Sequence, residues 1–138
     1  MVELEGTDTR RVVCIGSLTI GTQRASVIAG PCSVEPGYVD QAVDIAGTGA
    51  DALRAGVFKP RTHPDSFQGM GLEALPLLEE ARRRTGLPLI SEVLSSEDAE
   101  ALGELADGYQ VGSPTRLRIG CDCISAGGTI RALPQVRL

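Results

Sequence analysis

No apolar stretch in these 138 residues approaches the roughly 18 needed to span a bilayer, so the sequence offers no membrane helix. Positive charge is also scarce. Thirteen Lys and Arg against 18 Asp and Glu leave a formal net charge of −5, which argues against nucleic acid as a partner, because a phosphate backbone calls for a surplus of cations on one face. The N-terminus, Met1-Val2-Glu3-Leu4-Glu5-Gly6, lacks the cationic start and apolar core of a secretory signal, and the expected compartment is the cytoplasm. Zinc-site spacing is missing as well: Cys14, Cys32, Cys121 and Cys123 form no Cys-x-x-Cys repeat, and Cys121-x-Cys123 has no second ligand pair nearby. The four are expected as free thiols. What remains is the composition of a soluble globular chain, 42% hydrophobic.

What is present is an alternation of short elements. Arg11 to Ile15 and Ser17 to Ile20 carry β-branched residues around Gly16-Ser17 and read as a small hairpin. Ala25 to Gly30 reads as an apolar strand, and Tyr38 to Ala46 as a short helix with Val39, Ala42, Val43 and Ala46 on one face. Ala50 to Val57 is the next strand. Leu72 to Arg84 repeats apolar residues every three positions, and Pro76 predicts that the regular helix begins near Leu75, since proline is tolerated in a first turn. Thr85-Gly86 ends it, and Arg82-Arg83-Arg84 in its last turn read as a solvated face favoured by the helix dipole. Leu87 to Leu94 is strand-like, Ser95 or Ser96 can cap a helix over residues 97–106, and Asp107 to Gly112 supplies a fourth short strand. Strands and helices in this order predict βαβ units and a parallel sheet with right-handed crossovers.

The chemistry concentrates in two places. Residues 56–69, Gly-Val-Phe-Lys-Pro-Arg-Thr-His-Pro-Asp-Ser-Phe-Gln-Gly, set Lys59 and Arg61 in a proline-punctuated turn directly after an apolar run. Two fixed cations there suit a phosphorylated anion, a guanidinium by its bidentate fork and an ammonium as a point charge. Upstream, Val27-Ile28-Ala29-Gly30-Pro31-Cys32-Ser33 repeats the pattern of apolar run, sharp turn and lone thiol. Read alone, Cys32 is a buried small hydrophobe or a ligand, and Lys59 and Arg61 are either a binding site or a solvated basic turn. Glu92 and Gln110, near strand ends, either line a pocket or act as satisfied polar caps. His63 is a lone histidine in the loop and reads as solvent-facing or hydrogen-bonded.

Together these motifs, with Leu53-Arg54-Ala55-Gly56 and Ser66-Phe67-Gln68-Gly69, resemble the 3-deoxy-7-phosphoheptulonate (DAHP) synthases of the class I DAHP/KDO-8-phosphate synthase family. Those transferases open the shikimate pathway to chorismate and the aromatic amino acids by condensing phosphoenolpyruvate with erythrose 4-phosphate. The resemblance spans about residues 10–112 and implies an α/β fold, an incomplete TIM (β/α)8 barrel of about four βα units after the N-terminal β-hairpin, because a complete barrel takes at least ~200 residues. The implied organisation is an extension and hairpin at 1–24 capping one barrel end, half of a synthase barrel at 25–112, and a divergent tail at 113–138. Where the family continues after Gly112 with Ala-Arg, this chain reads Ser113-Pro114-Thr115.

By resemblance Cys32 is a ligand to a divalent metal (Mn, Fe, Zn or Co), whose His, Glu and Asp partners come from the later half of the family's barrel. Arg54 is implied to contact phosphoenolpyruvate, and Lys59 to pair with its carboxylate and stabilise the aldehyde oxygen as charge develops. Pro60, Arg61 and Thr62 complete a Lys-Pro-Arg-Thr loop that holds erythrose 4-phosphate, whereas the relatives that use arabinose 5-phosphate generally carry a Lys-Ala-Asn-Arg-type loop. Glu92 and Gln110 are implied to line the pocket. No cofactor beyond the metal is implied, and a homo-oligomer is an expectation. The alternative is a catalytically inactive half-barrel that binds a phosphorylated ligand or a protein partner.

Overall fold

The protein is described by a computed structural model covering residues 12–58, 69–111 and 132–134. Two strands open it, β1 (Val13–Ile15) and β2 (Leu18–Ile20), paired antiparallel with Ile15 opposite Leu18. Gly16 turns between them at φ 55°, and a side chain there would strike the Asp107 carboxylate at 2.9 Å. The expected hairpin forms.

Five further strands make one sheet in the order β3 (Ile28–Ala29), β4 (Ala52–Arg54), β5 (Leu89–Val93), β6 (Gly108–Val111) and β7 (Ala132–Pro134), each parallel to its neighbour. This confirms the α/β class and the parallel sheet. The strands are shorter than their sequence predicts: the run from Ala25 to Gly30 keeps only Ile28 and Ala29 in the ladder, with Val27 53% exposed, and the run from Ala50 to Val57 keeps Ala52–Arg54. The strand expected over Asp107 to Gly112 forms as β6, and a strand of the tail, β7, pairs beyond it with Leu133 in register with Gln110.

Helix α1 (Tyr38–Gly47) starts as expected, entered through Gly37 at φ 95°, and buries Tyr38 and Ala42. A 3-10 turn over Gly71–Ala74 leads into α2 (Leu75–Thr85) with Pro76 in its first turn, and Gly86 at φ 68° ends it by returning its N–H to the Arg82 carbonyl. Helix α3 (Ser96–Leu102) is capped by Ser95, whose hydroxyl accepts from the Asp98 N–H while the Asp98 carboxylate accepts from the Ser95 N–H. It stops at Leu102, short of the predicted 106, and continues as a 3-10 turn to Leu105.

The main core lies between the sheet and α1–α3: Leu53, Leu89, Val93, Tyr109 and Val111 meet Tyr38, Ala42, Leu78 and Ala81. The opposite parity of the strands supplies a second cluster, in which Ala52 and Ile90 pack under Ile15 and Leu18 of the hairpin. The hairpin thus covers one end of the sheet's other face. Arg82 departs from its expected role as a solvated cation. It donates to the Leu105 carbonyl at 3.0 Å and to Asp107 at 3.1 Å, tying the end of α2 to the loop before β6. Its neighbour Arg84 reaches Asp40 on α1, and Arg83 pairs with Glu80 on the surface.

Candidate active site

Parallel strands bring their C-terminal ends to one edge, and four of the sequence-predicted residues gather there. Strand periodicity decides which face each presents. Ala52 and Ile90 face the hairpin, so Arg54 and Glu92, two positions further on, share that face nearer the strand ends. Gln110 follows Gly108 in the same way. A side chain at Gly108 would meet Ile15 at 2.9 Å, and Gln110 lies in register with Glu92. The helix-side positions between them, Leu53, Ser91, Val93, Tyr109 and Val111, are buried. Arg54, Glu92 and Gln110 are only partly so.

Glu92 responds to this setting. Burial raises its carboxyl pKa above the ordinary glutamate value, and the Arg54 guanidinium pulls it partly back. The strand ends therefore hold a carboxyl with a raised proton affinity beside a fixed cation, an arrangement able to bind an anion and to hold a proton near it.

The loop after β3 closes over β4 by direct backbone contact. A Cβ on Gly30 would lie 2.1 Å from the Arg54 carbonyl oxygen, and one on Gly56 would lie 2.2 Å from the Cys32 carbonyl oxygen. Only glycine fits at either position. The Val34 N–H completes the seam by donating to the Gly56 carbonyl at 2.8 Å. Cys32 thereby stands beside the end of β4 with its thiol exposed and free, so it is not the buried hydrophobe that a lone cysteine could have been. Next to it the Ser33 hydroxyl is buried without a hydrogen-bond partner among the described residues. Lys59, Pro60, Arg61 and Thr62 follow Phe58 in sequence and lie outside the described residues, as does His63.

Among the described residues, no three His, Cys, Asp or Glu side chains come together in a way that could hold a metal ion. Cys32 is a single soft donor, and the described residues by themselves do not fit a metal site. A cavity of about 410 Å3 lies at the opposite end, between the hairpin and the starts of β4 and β5, where Arg24 bridges to Asp51. It is remote from the residues gathered at the strand ends.

The family model of the DAHP synthetase I family matches residues 5–117, most of the chain. The chain belongs to that family. Phospho-2-dehydro-3-deoxyheptonate aldolase of Thermotoga maritima is 38% identical over 104 residues, which are 74% of this chain and 31% of that protein. The 2-dehydro-3-deoxyphosphooctonate aldolase of Nitrobacter winogradskyi is 34% identical over 112 residues, 72% of this chain and 38% of that one. The crystal structure of the Thermotoga maritima DAHP synthase superposes with a TM-score of 0.70 at 36% identity, covering 79% of this chain and 32% of that one. This member of the DAHP synthetase I family thus spans about a third of the length of the relatives it matches, and both substrate branches stand among them.

Sequence reading missed two residues that build the strand-end edge. The sequence places Gly56 in the Ala50 to Val57 strand and the Leu53-Arg54-Ala55-Gly56 motif without showing what it packs on, although a glycine inside a strand often marks a close backbone approach. Tyr38 reads in the sequence as the first residue of a helix, and nothing in the helical period announces where its hydroxyl goes.

Proposed function

We propose that this chain carries the phosphoenolpyruvate-binding side of a 3-deoxy-7-phosphoheptulonate synthase site. The observation that supports it best is the grouping of Arg54, Glu92, Gln110 and the Cys32 loop at the C-terminal ends of parallel strands, the face on which (β/α)8 enzymes build their sites. Lys59, Pro60, Arg61 and Thr62 follow in sequence, and Arg54 with these cations would hold the carboxylate and phosphate groups. The Lys-Pro-Arg-Thr loop favours erythrose 4-phosphate over arabinose 5-phosphate as the second substrate. Cys32 would be one donor to a divalent metal, with its remaining ligands outside the described residues.

The second reading is a half-barrel that binds such ligands without turnover. It is favoured by Ser113-Pro114-Thr115, which stand where the family continues with Ala-Arg. The sheet ends at β3 and β7, and an association of this chain with another half-barrel through those edges belongs to this reading. Calorimetric titration with phosphoenolpyruvate, paired with an assay of phosphate release on adding erythrose 4-phosphate and manganese, separates the two. Binding without release is the expected result for the chain alone, and metal-dependent release would establish the enzyme. Each charge-assisted contact is worth roughly 1.5–3 kcal/mol, so Lys59→Ala or Arg61→Ala should weaken binding about tenfold or more. Unchanged affinity in both variants would remove the site.

A further inference from the structure

Arg54 presents its side chain from the last position of β4, and the backbone beneath it lacks a partner that the sheet would ordinarily supply. Ile28 pairs with Ala52 and Ala29 with Leu53, and the Ala52 N–H donates to the Val27 carbonyl. A parallel ladder repeats every two residues, so the donor facing the Arg54 carbonyl would be the N–H of residue 31. That residue is Pro31, which has none. The Arg54–Ala55 peptide is held on its other side, where the Ala55 N–H donates to the Ile90 carbonyl at 2.9 Å. On the open side Gly30 lies so close that a Cβ there would come within 2.1 Å of the Arg54 carbonyl oxygen.

The vacant position is filled from α1. The Tyr38 hydroxyl donates to the Arg54 carbonyl at 3.3 Å, from a ring that is 1% exposed and packed in the main core. We propose that Tyr38 is a positioning residue, its hydroxyl standing in for the backbone donor that Pro31 removes and so setting where Arg54 presents its guanidinium beside Glu92. Burial raises the Tyr38 phenol well above its ordinary range, so it remains a donor at any pH the fold survives. The role of Arg54 toward an anion rests on the function proposed above. The role of Tyr38 toward Arg54 does not.

The test uses Tyr38→Phe, which keeps the ring and removes only the hydroxyl. The Glu92 carboxyl, followed by carbon NMR through a pH titration, should move to higher pKa as the guanidinium loses its fixed place, and phosphoenolpyruvate affinity should fall about threefold to fivefold, in keeping with one long, neutral hydrogen bond. Adding Pro31→Ala restores an N–H at residue 31, and the double variant should recover both readings. Ala42→Gly on the same helix is the control for lost stability alone, and it should leave the Glu92 titration unmoved. If Tyr38→Phe leaves Glu92 and the affinity unchanged, or if Pro31→Ala rescues neither, the proposal is overturned. If Tyr38→Phe alone fails to fold, the double variant with Pro31→Ala decides instead: a folded protein whose residue-31 amide is protected from hydrogen exchange confirms that a backbone donor replaces the hydroxyl, and failure to fold or an unprotected amide refutes it. Arg54→Ala separates the two inferences. Loss of phosphoenolpyruvate binding there with an unchanged Tyr38→Phe leaves the site standing without Tyr38, and retained binding removes the site while the Glu92 titration still judges the tyrosine.

Discussion

Gly56→Ala is the sharpest test of how this site is built. The added carbon would lie 2.2 Å from the Cys32 carbonyl oxygen and 3.0 Å from its carbon, both backbone atoms that no rotamer change can move. Carbon–oxygen contacts settle at about 3.3 Å, so the loop carrying Cys32 must retreat by about 1 Å from the end of β4. That retreat stretches the 2.8 Å bond from the Val34 N–H to the Gly56 carbonyl, and overpacking of this kind costs about 1–3 kcal/mol. The smaller conformational freedom of alanine in the unfolded chain offsets roughly 0.4–1 kcal/mol of it. A net loss of about 1–2 kcal/mol should lower the melting temperature of a chain this size by about 3–8 °C, read by circular dichroism. Gly47→Ala is the matched control. It adds the same carbon at the end of α1 with nothing within 4 Å and should leave stability unchanged or slightly raised. The Cys32 thiol gives a second reading, because a displaced loop changes its rate of alkylation while Gly47→Ala does not. A Gly56→Ala protein that melts at or above the parent, with the same thiol reactivity, would show that the seam between the two loops does not hold the site.

Three further outcomes follow from particular atoms. Ser95→Ala removes the hydroxyl that accepts from the Asp98 N–H and should cost about 1 kcal/mol in urea unfolding, with the loss confined to the region of α3 in hydrogen exchange. Ser33→Ala should be neutral or stabilising in the same assay, because the buried hydroxyl it deletes has no partner among the described residues; a loss above about 1 kcal/mol would reveal one. Glu92 binds its proton more tightly folded than unfolded, so its contribution to stability is greatest in acid and declines as pH rises from the ordinary glutamate value through its raised one. Glu92→Gln should remove that decline from the pH–stability curve, and a curve identical to the parent's would contradict the raised pKa.

Much of the fold is local chemistry and can be read from the chain. The hairpin follows from β-branched residues around Gly16, the entry to α2 from Pro76, its end from Gly86, and the cap of α3 from Ser95 and Asp98, because each of these choices is made within a few residues. Alternating short strands and helices then leave a parallel sheet as the arrangement that buries both faces, and the thiol, cation and carboxyl near strand ends belong to one edge of it. What the tertiary structure alone decides is partnership across the sequence. Ala25 to Gly30 is apolar throughout, yet a strand lasts only as long as its neighbour offers ladder partners, so β3 ends where Pro31 withdraws an N–H. Helix α3 stops at Leu102, where Gly103 turns to φ 41°, and the Tyr109 hydroxyl from β6 reaches the Ala99 and Gly103 carbonyls at that end. Arg82 looks like its neighbours in the sequence and differs from them only because Asp107 and the Leu105 carbonyl come within reach. Tyr38 carries the same lesson: its place at the start of α1 is legible in the chain, and only the packing of α1 against the end of β4 delivers its hydroxyl to the Arg54 carbonyl, to which Pro31 offers no N–H.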